Sequence, residues 1–281
     1  MKKLLVVAAG MLQLLVSCDR TGNPRRAQGQ INKAANLLVA KPKVTLSRAV
    51  DPAALLKDFT TWYSYTYYNI KLSQNFVGLD VDSSAIPKSV FLARLATGRF
   101  IPVKVLVQNK LPYYQLYRSG HAAVNIQNTM QQLASTEIAH FGMEGKELPA
   151  YSFTDLNGKT YRKASTKGKI MVMKCWFIGC QACVKEFPEL NKLVDKFQGR
   201  KDVLFISLAL DNKQALVAFL KTKGFKYAVI PNTASYTGRQ LRITQFPTHI
   251  LVGKDGRIVK VVNALDDLMP FVAQQAGEAA L

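Results

Sequence analysis

Acidic residues are scarce in this chain of 281 residues: 18 Asp and Glu stand against 38 Lys and Arg, a formal net charge of +20. The basic residues are spread out, with no long Lys/Arg block and no nucleic-acid recognition motif, so nucleic acid is not an expected partner. A basic solvated surface accounts for the charge, and attraction to anionic lipid or an acidic partner is the sharper reading. Soft metal ligands are also few, at four cysteines and three histidines. Only one C-x-x-C occurs, whereas structural zinc sites often use two such pairs, so no metal is expected. Internal repeats and long low-complexity segments are absent. What is abundant is apolar: 48% of residues are hydrophobic and 20% charged. That composition belongs to a folded chain, and the length suffices for two ordinary domains.

The first residues read as a targeting segment. Met1-Lys2-Lys3 is a short positive region, and residues 4–16 are apolar but too short for a comfortable transmembrane helix. Leu15-Val16-Ser17-Cys18 resembles the lipobox of bacterial lipoproteins, in which the cysteine becomes the first mature residue and carries lipid. The plainer alternative is an ordinary signal peptide with a chance cysteine. Either reading sends the chain to a compartment where disulfides persist. Residues 1–17 are thus assigned to the signal, and the polar, aperiodic residues 18–30 to a tether.

The stretch 169–190, KIMVMKCWFIGCQACVKEFPEL, organises the rest. Its apolar opening suits a strand buried on both faces. After Gly179, apolar residues recur at helical spacing from Ala182 to Phe197. Cys180 therefore falls at a helix N-terminus, where free N–H groups and the macrodipole favour a thiolate. Cys183 lies one turn on, placed to resolve a mixed disulfide formed at Cys180. A zinc site uses the same spacing, but a strand before the pair and a helix after it favour redox work. Cys175, inside the strand, reads as a small buried hydrophobe rather than a third redox thiol.

The pattern C-x-x-C-x-K-E-F-P-E-L resembles the TlpA/ResA-type thioredoxin-like proteins, membrane-anchored thiol–disulfide oxidoreductases. The likeness runs from about residue 146 to the end of the chain. It includes Phe153-Thr154-Asp155-Leu156-Asn157-Gly158-Lys159 and, later, Phe246-Pro247-Thr248. Gly179 stands where the family usually has Trp, and Ala182 where it usually has Pro. Both flank the thiols, so the redox potential does not carry over. The resemblance implies an α/β, thioredoxin-like fold over residues 144–281, with a central mixed sheet flanked by helices. It also implies a cis-proline at Pro247 beside the thiols, exposing the backbone of Phe246 to an extended substrate. Thioredoxins often keep a buried carboxylate beneath the pair; the matching residue here is Lys174. Glu186, on the same helical face as Cys183 and matching the family's glutamate, is the substitute proton acceptor. A solvated surface Glu is the alternative. His249, two residues past Pro247, reads as a strand filler, a place near the thiols being the alternative.

Residues 31–143 resemble no family and read as a smaller α+β domain. Helices are expected over 31–40, 51–59, 86–97 and 121–141, and strands over 44–50, 62–72, 99–107 and 111–117. A strand over 76–81 is expected to pair back on 62–72. The aromatic residues of 62–68 and 113–117 read as core packing before binding surface, and His121 and His140 as helix-end or surface residues. In the second half, Asn157-Gly158 predicts a type I′ hairpin turn, and 181–197 a helix kinked at Pro188. Asp211 is expected to cap a helix to Lys223, and a terminal hairpin and the helix 265–276 close the fold.

The resulting expectation is a lipid-anchored, periplasm-facing protein of the bacterial cell envelope. It reduces disulfides of exported proteins through Cys180 and Cys183, without a cofactor, and is itself served by an upstream redox partner. The competing class is an anchored binding or scaffold protein whose N-terminal domain carries the main role.

Overall fold

Strand order follows from which segments are apolar on both sides. The computed structural model describes residues 47–278 apart from 49, 108, 110 and 121. The expected signal, tether and Cys18, the 31–40 helix and His121 lie outside the described residues. The first half holds β1 (Ser47–Arg48), α1 (Pro52–Leu55), α2 (Phe59–Asn69), β2 (Val77–Leu79), β3 (Ala85–Ile86), α3 (Lys88–Leu95), β4 (Phe100–Leu106), β5 (Tyr113–Arg118) and α4 (Val124–Phe141). The second half begins with the hairpin β6 (Ser152–Thr154) and β7 (Thr160–Arg162), then α5 (Lys163–Thr166). It continues with β8 (Ile170–Trp176), α6 (Gln181–Lys185), α7 (Phe187–Lys196), β9 (Val203–Ala209), α8 (Lys213–Leu220) and β10 (Ala228–Ile230). A π-helical turn (Tyr236–Gln240) precedes β11 (Thr248–Val252), β12 (Ile258–Val262) and α9 (Leu265–Ala276).

β8 is the middle strand of a five-stranded sheet of order β10-β9-β8-β11-β12. Every one of its residues is buried. Ile170, Val172 and Trp176 join one hydrophobic cluster and Met171, Met173 and Cys175 another, as alternation across a doubly covered strand requires. β9 and β10 run parallel to β8 and its neighbour, joined by helical crossovers, whereas β11 and β12 return antiparallel. This mixed sheet with flanking helices is the thioredoxin-like fold. Cys175 is fully buried, and burial pushes its thiol up to about 12 despite the adjacent Lys174, so it stays un-ionised at neutral pH.

Several local expectations are corrected. Residues 62–72 are not a strand. Asp58 caps α2 by accepting the Thr61 N–H at 2.8 Å, and Trp62 and Thr66, four apart, form its buried face. Phe59, Tyr63 and Tyr67 then stack at four-residue spacing, with centroids 5.6 and 6.4 Å apart. The cap and these i, i+4 contacts outweigh aromatic β-propensity. Helical geometry also divides the aromatic residues: Trp62 is buried while Tyr63, Tyr67 and Tyr68 face solvent. β2 therefore pairs with β3 and β5, not with 62–72. Asp51 caps α1 through Ala53, but that helix stops at Leu55 and does not reach Phe59. The 155–159 turn is not type I′, because Gly158 alone has positive φ (85°). Asp155 accepts the N–H groups of Asn157 and Lys159, which makes a longer loop closed by a left-handed glycine. Asn212, not Asp211, caps α8, and α8 ends at Leu220.

The sheet β1-β4-β5-β2-β3 carries its own hydrophobic cluster around Trp62, Phe91, Val103 and Met130. It meets the second half through polar contacts. Ser73 and Gln74 bond the side chain and carbonyl of Asp267 at 2.9 and 2.7 Å. Within the second half, buried Lys260 pairs with Glu144 at 2.8 Å. His140, in the last turn of α4, is buried rather than on the surface. Burial and the charge of Lys260 take its pKa down to about 4.

Residues 142–281 keep Glu144 for Lys260 and the backbone bonds of Gly145 and Lys146 to Ile258. A fragment of those residues is expected to unfold cooperatively in denaturant and to reduce a model disulfide. A molten or aggregated fragment would mean that the two halves share a core.

Candidate active site

The end of β8 delivers the chain into 177–179 and then α6, with Cys180 at the N-cap. Asp211, at the end of β9, holds this lead-in by accepting the Ile178 N–H at 2.8 Å. Gly179 is exposed, and a Cβ there would meet only the Phe177 ring, at 3.4 Å, so a side chain has room. Cys180 and Cys183 are joined in a disulfide. The two sulfurs differ in setting: Cys180 is 8% exposed and Cys183 wholly buried. The Cys183 N–H donates to Cys180 Sγ at 3.2 Å, a bond that strengthens when that sulfur carries charge.

The peptide bond Phe246–Pro247 is cis. The loop is fixed from both ends: Thr248 Oγ1 donates to the Gln245 carbonyl at 2.6 Å, and Asn263 Nδ2 donates to the Pro247 carbonyl at 2.7 Å. Phe246 packs edge-on against Phe177, centroids 5.4 Å apart. That contact brings the proline loop to the segment entering the cysteine pair. Asn263, the residue that clamps the loop, carries no motif in the sequence and was legible only once β12 was placed beside β11.

The helix after the pair breaks at Glu186, between α6 and α7, with Pro188 in the first turn of α7. A proline there has no N–H for the preceding turn, so the helix restarts. The break turns Glu186 toward the sheet. One carboxylate oxygen, Oε2, accepts from the Lys174 ammonium and lies 3.0 Å from His249 Nε2. Lys174 and His249 have no exposed side-chain surface, and Glu186 keeps 20% of its own. Burial works against the Glu186 charge, but the hydrogen bonds from His249 and Lys174 and the charge of Lys174 hold the carboxyl below its ordinary range. Burial pulls Lys174 down, with Glu186 opposing. Burial likewise lowers His249, the Glu186 bond opposing and the Lys174 charge adding. His249 is thus more than a strand filler. Its signal was there to read: residues 174 and 249 pair across adjacent antiparallel strands, so a buried Lys and a His two past the proline share one face.

Glu186→Ala leaves a buried ammonium without its counter-ion. The expected loss is about 3 kcal/mol in denaturant unfolding at pH 7, the low end for a buried pair because Glu186 is partly exposed. The folded-state pKa of Glu186 lies below its unfolded value. Its contribution is therefore complete above about pH 4.5 and disappears as pH falls through the folded value. The wild-type and Glu186→Ala stability curves should converge in acid.

Comparison with known proteins bears on the same residues. The family model described as the AhpC/TSA family matches residues 145–261. The thiol-disulfide oxidoreductase ResA of Bacillus anthracis is 32% identical over 119 residues, covering 42% of this chain and 68% of that protein. ResA of Bacillus subtilis (strain 168) is 28% identical over 119 residues, 42% of this chain and 66% of the relative. Among solved structures, the thioredoxin domain of a thiol-disulfide oxidoreductase from Bacteroides vulgatus is 26% identical with a TM-score of 0.42, covering 47% of this chain and 96% of that one. Through residues 145–261 the chain belongs to the AhpC/TSA family, as a thioredoxin-like redox enzyme related to the ResA thiol–disulfide oxidoreductases.

Proposed function

We propose that this chain is a lipid-anchored disulfide reductase of the bacterial cell envelope, facing the periplasm and acting on exported proteins through Cys180 and Cys183. The observation that carries the reading is the asymmetry of the pair. Cys180 sits at a helix N-cap, reachable and bonded by a backbone N–H, while Cys183 is sealed beneath it. A nucleophile needs access and a stabilised thiolate; a resolving thiol needs neither until the mixed disulfide has formed.

The reduced pair works in two displacements. The Cys180 thiolate attacks one sulfur of a substrate disulfide, and the other sulfur leaves as a thiolate that takes a proton from solvent. Cys183 gives up its proton into the polar group built around Glu186 and attacks Cys180 Sγ, which frees the second substrate sulfur and closes the Cys180–Cys183 disulfide. Substrate gains two electrons and the pair loses two, so an upstream thiol partner must restore the reduced form. The Phe246 backbone beside cis-Pro247 offers an edge for an extended substrate. Lipid on Cys18, following the Leu15-Val16-Ser17 segment, would keep the enzyme on the membrane.

Cys183→Ala should accumulate a mixed disulfide at Cys180, and mass spectrometry would identify the trapped protein. Cys180→Ala should trap nothing, and Cys175→Ala should trap as the wild type does. No trapped species from Cys183→Ala, together with zinc bound tightly by the wild type, would overturn the reductase reading.

The anchor is tested separately. Wild-type protein should incorporate labelled fatty acid and sediment with membranes, and Cys18→Ala should lose both properties. Wild-type protein without label would remove the lipid from the proposal.

A further inference from the structure

A polar group on the sheet face that carries the cysteines' cluster is assembled from three strands and a helix break. Ser207 on β9, Lys174 on β8 and His249 on β11 stand in register across the sheet, each with 0% exposure. They share the face that carries Val172, Trp176 and Leu251, in an otherwise hydrophobic cluster that includes both redox cysteines. Glu186 meets this row from above. An ionised carboxylate only accepts, so the contact between Glu186 Oε2 and His249 Nε2 at 3.0 Å puts a hydrogen on Nε2. The lone pair of the neutral ring is then on Nδ1. Nδ1 is buried and has no hydrogen-bond partner. Native structures seldom keep an unpaired buried acceptor without a use for it.

We propose that His249 is the proton acceptor for Cys183, its Nδ1 taking the thiol proton as the mixed disulfide resolves, and that Glu186 is the positioning residue that fixes the imidazole tautomer. This rests on the disulfide-exchange reading above and names the atom that reading leaves open. Elimination supports it. Protonating Glu186 would remove the negative charge that balances the buried Lys174 ammonium. Lys174, as a cation, has no lone pair to offer. The Tyr227 hydroxyl is buried, and burial and then the Glu186 charge push its pKa up, while the Ser207 hydroxyl is not basic. Cys175 belongs to the cluster on the other face of β8. On α9, packed against β11, Asp267 is engaged by Ser73 and Asp266 is exposed. On β12, Lys260 is paired with Glu144. Burial keeps His249 neutral and able to accept at neutral pH, and the Glu186 carboxylate then faces the imidazolium that forms. A carboxylate that orients an imidazole and stabilises its cation is the same division of labour as in a nucleophile–base–carboxylate triad.

The step balances. The Cys183 S–H bond breaks and its proton moves to Nδ1. The sulfur's electron pair forms the bond to Cys180 Sγ, and the bond between Cys180 and the substrate sulfur breaks with its pair on the substrate. That sulfur takes up the proton released by the imidazolium. The two cysteines are oxidised by two electrons and the substrate disulfide is reduced by two.

The test is stopped-flow reaction of the reduced full chain with excess dithiobis-nitrobenzoate. Release of the first coloured thiol reports attack by Cys180, and release of the second reports resolution by Cys183. His249→Gln keeps an N–H for Glu186 but has no basic nitrogen. The first phase should be unchanged, and the second about 100-fold slower near neutral pH, as loss of a general base predicts. The wild-type second phase should rise with pH as the imidazole loses its proton, and that limb should vanish in His249→Gln. A His249→Gln second phase within twofold of wild type, with the same pH profile, overturns the proposal and leaves the reductase reading intact. A wild type that lacks the first phase overturns both. Nitrogen NMR of the reduced wild type, which has three histidines, provides a check that needs no variant. The expected state of His249 at pH 7 carries hydrogen on Nε2 alone; hydrogen on Nδ1 overturns the proposal.

Discussion

A buried ammonium beneath a disulfide needs a counter-ion, and the second half of the molecule is arranged to supply one. Lys174 occupies the middle of the most buried strand. Left alone, a charge there costs a sizeable fraction of the stability of a domain. Glu186 answers it because α6 ends after five residues and α7 begins anew at Phe187. An unbroken helix from Cys180 would carry residue 186 along the helix surface. The break, enforced by Pro188, turns its carboxylate inward. The helix geometry behind the cysteine pair and the charge balance of the sheet are thus one constraint.

That constraint separates the two cysteines chemically. The helix N-cap gives Cys180 a donor and an opening to solvent. Cys183, in the same turn, has no exposed surface. A buried thiol resists ionisation unless a base shares its enclosure. The polar row in register across β9, β8 and β11 brings such groups into an otherwise hydrophobic layer. The cis-proline loop is held by Asn263, just past β12, which donates to the Pro247 carbonyl.

The other sheet meets this domain by polar contacts and not by a shared core. Its cluster around Trp62 and Phe91 is closed in itself, while Ser73 and Gln74 reach Asp267 across the junction. Burial moves the groups there: Glu137 rises to about 7 and Lys88 falls to about 8. Such a junction is specific, because each charge needs its partner, but it adds little apolar burial.

The sequence by itself determined the second half almost completely. An apolar run, a C-x-x-C and a helical period can be satisfied by only one local path, strand to helix N-cap, since strand and helix periodicities differ and the cysteines fall at the change. Cys180 and Cys183 were legible for that reason, and Pro247 and Glu186 through the family pattern. The helix over 59–69 was not, because tyrosine-rich segments suit either period, and a side-chain cap at Asp58 together with burial of Trp62 and Thr66 decided between them. Nor were His249 and Asn263. Their roles depend on which strands become neighbours and in what register, a property of the closed sheet that no local window contains. Tertiary structure alone put Lys174, Glu186 and His249, residues spread over three separate segments, on one carboxylate oxygen.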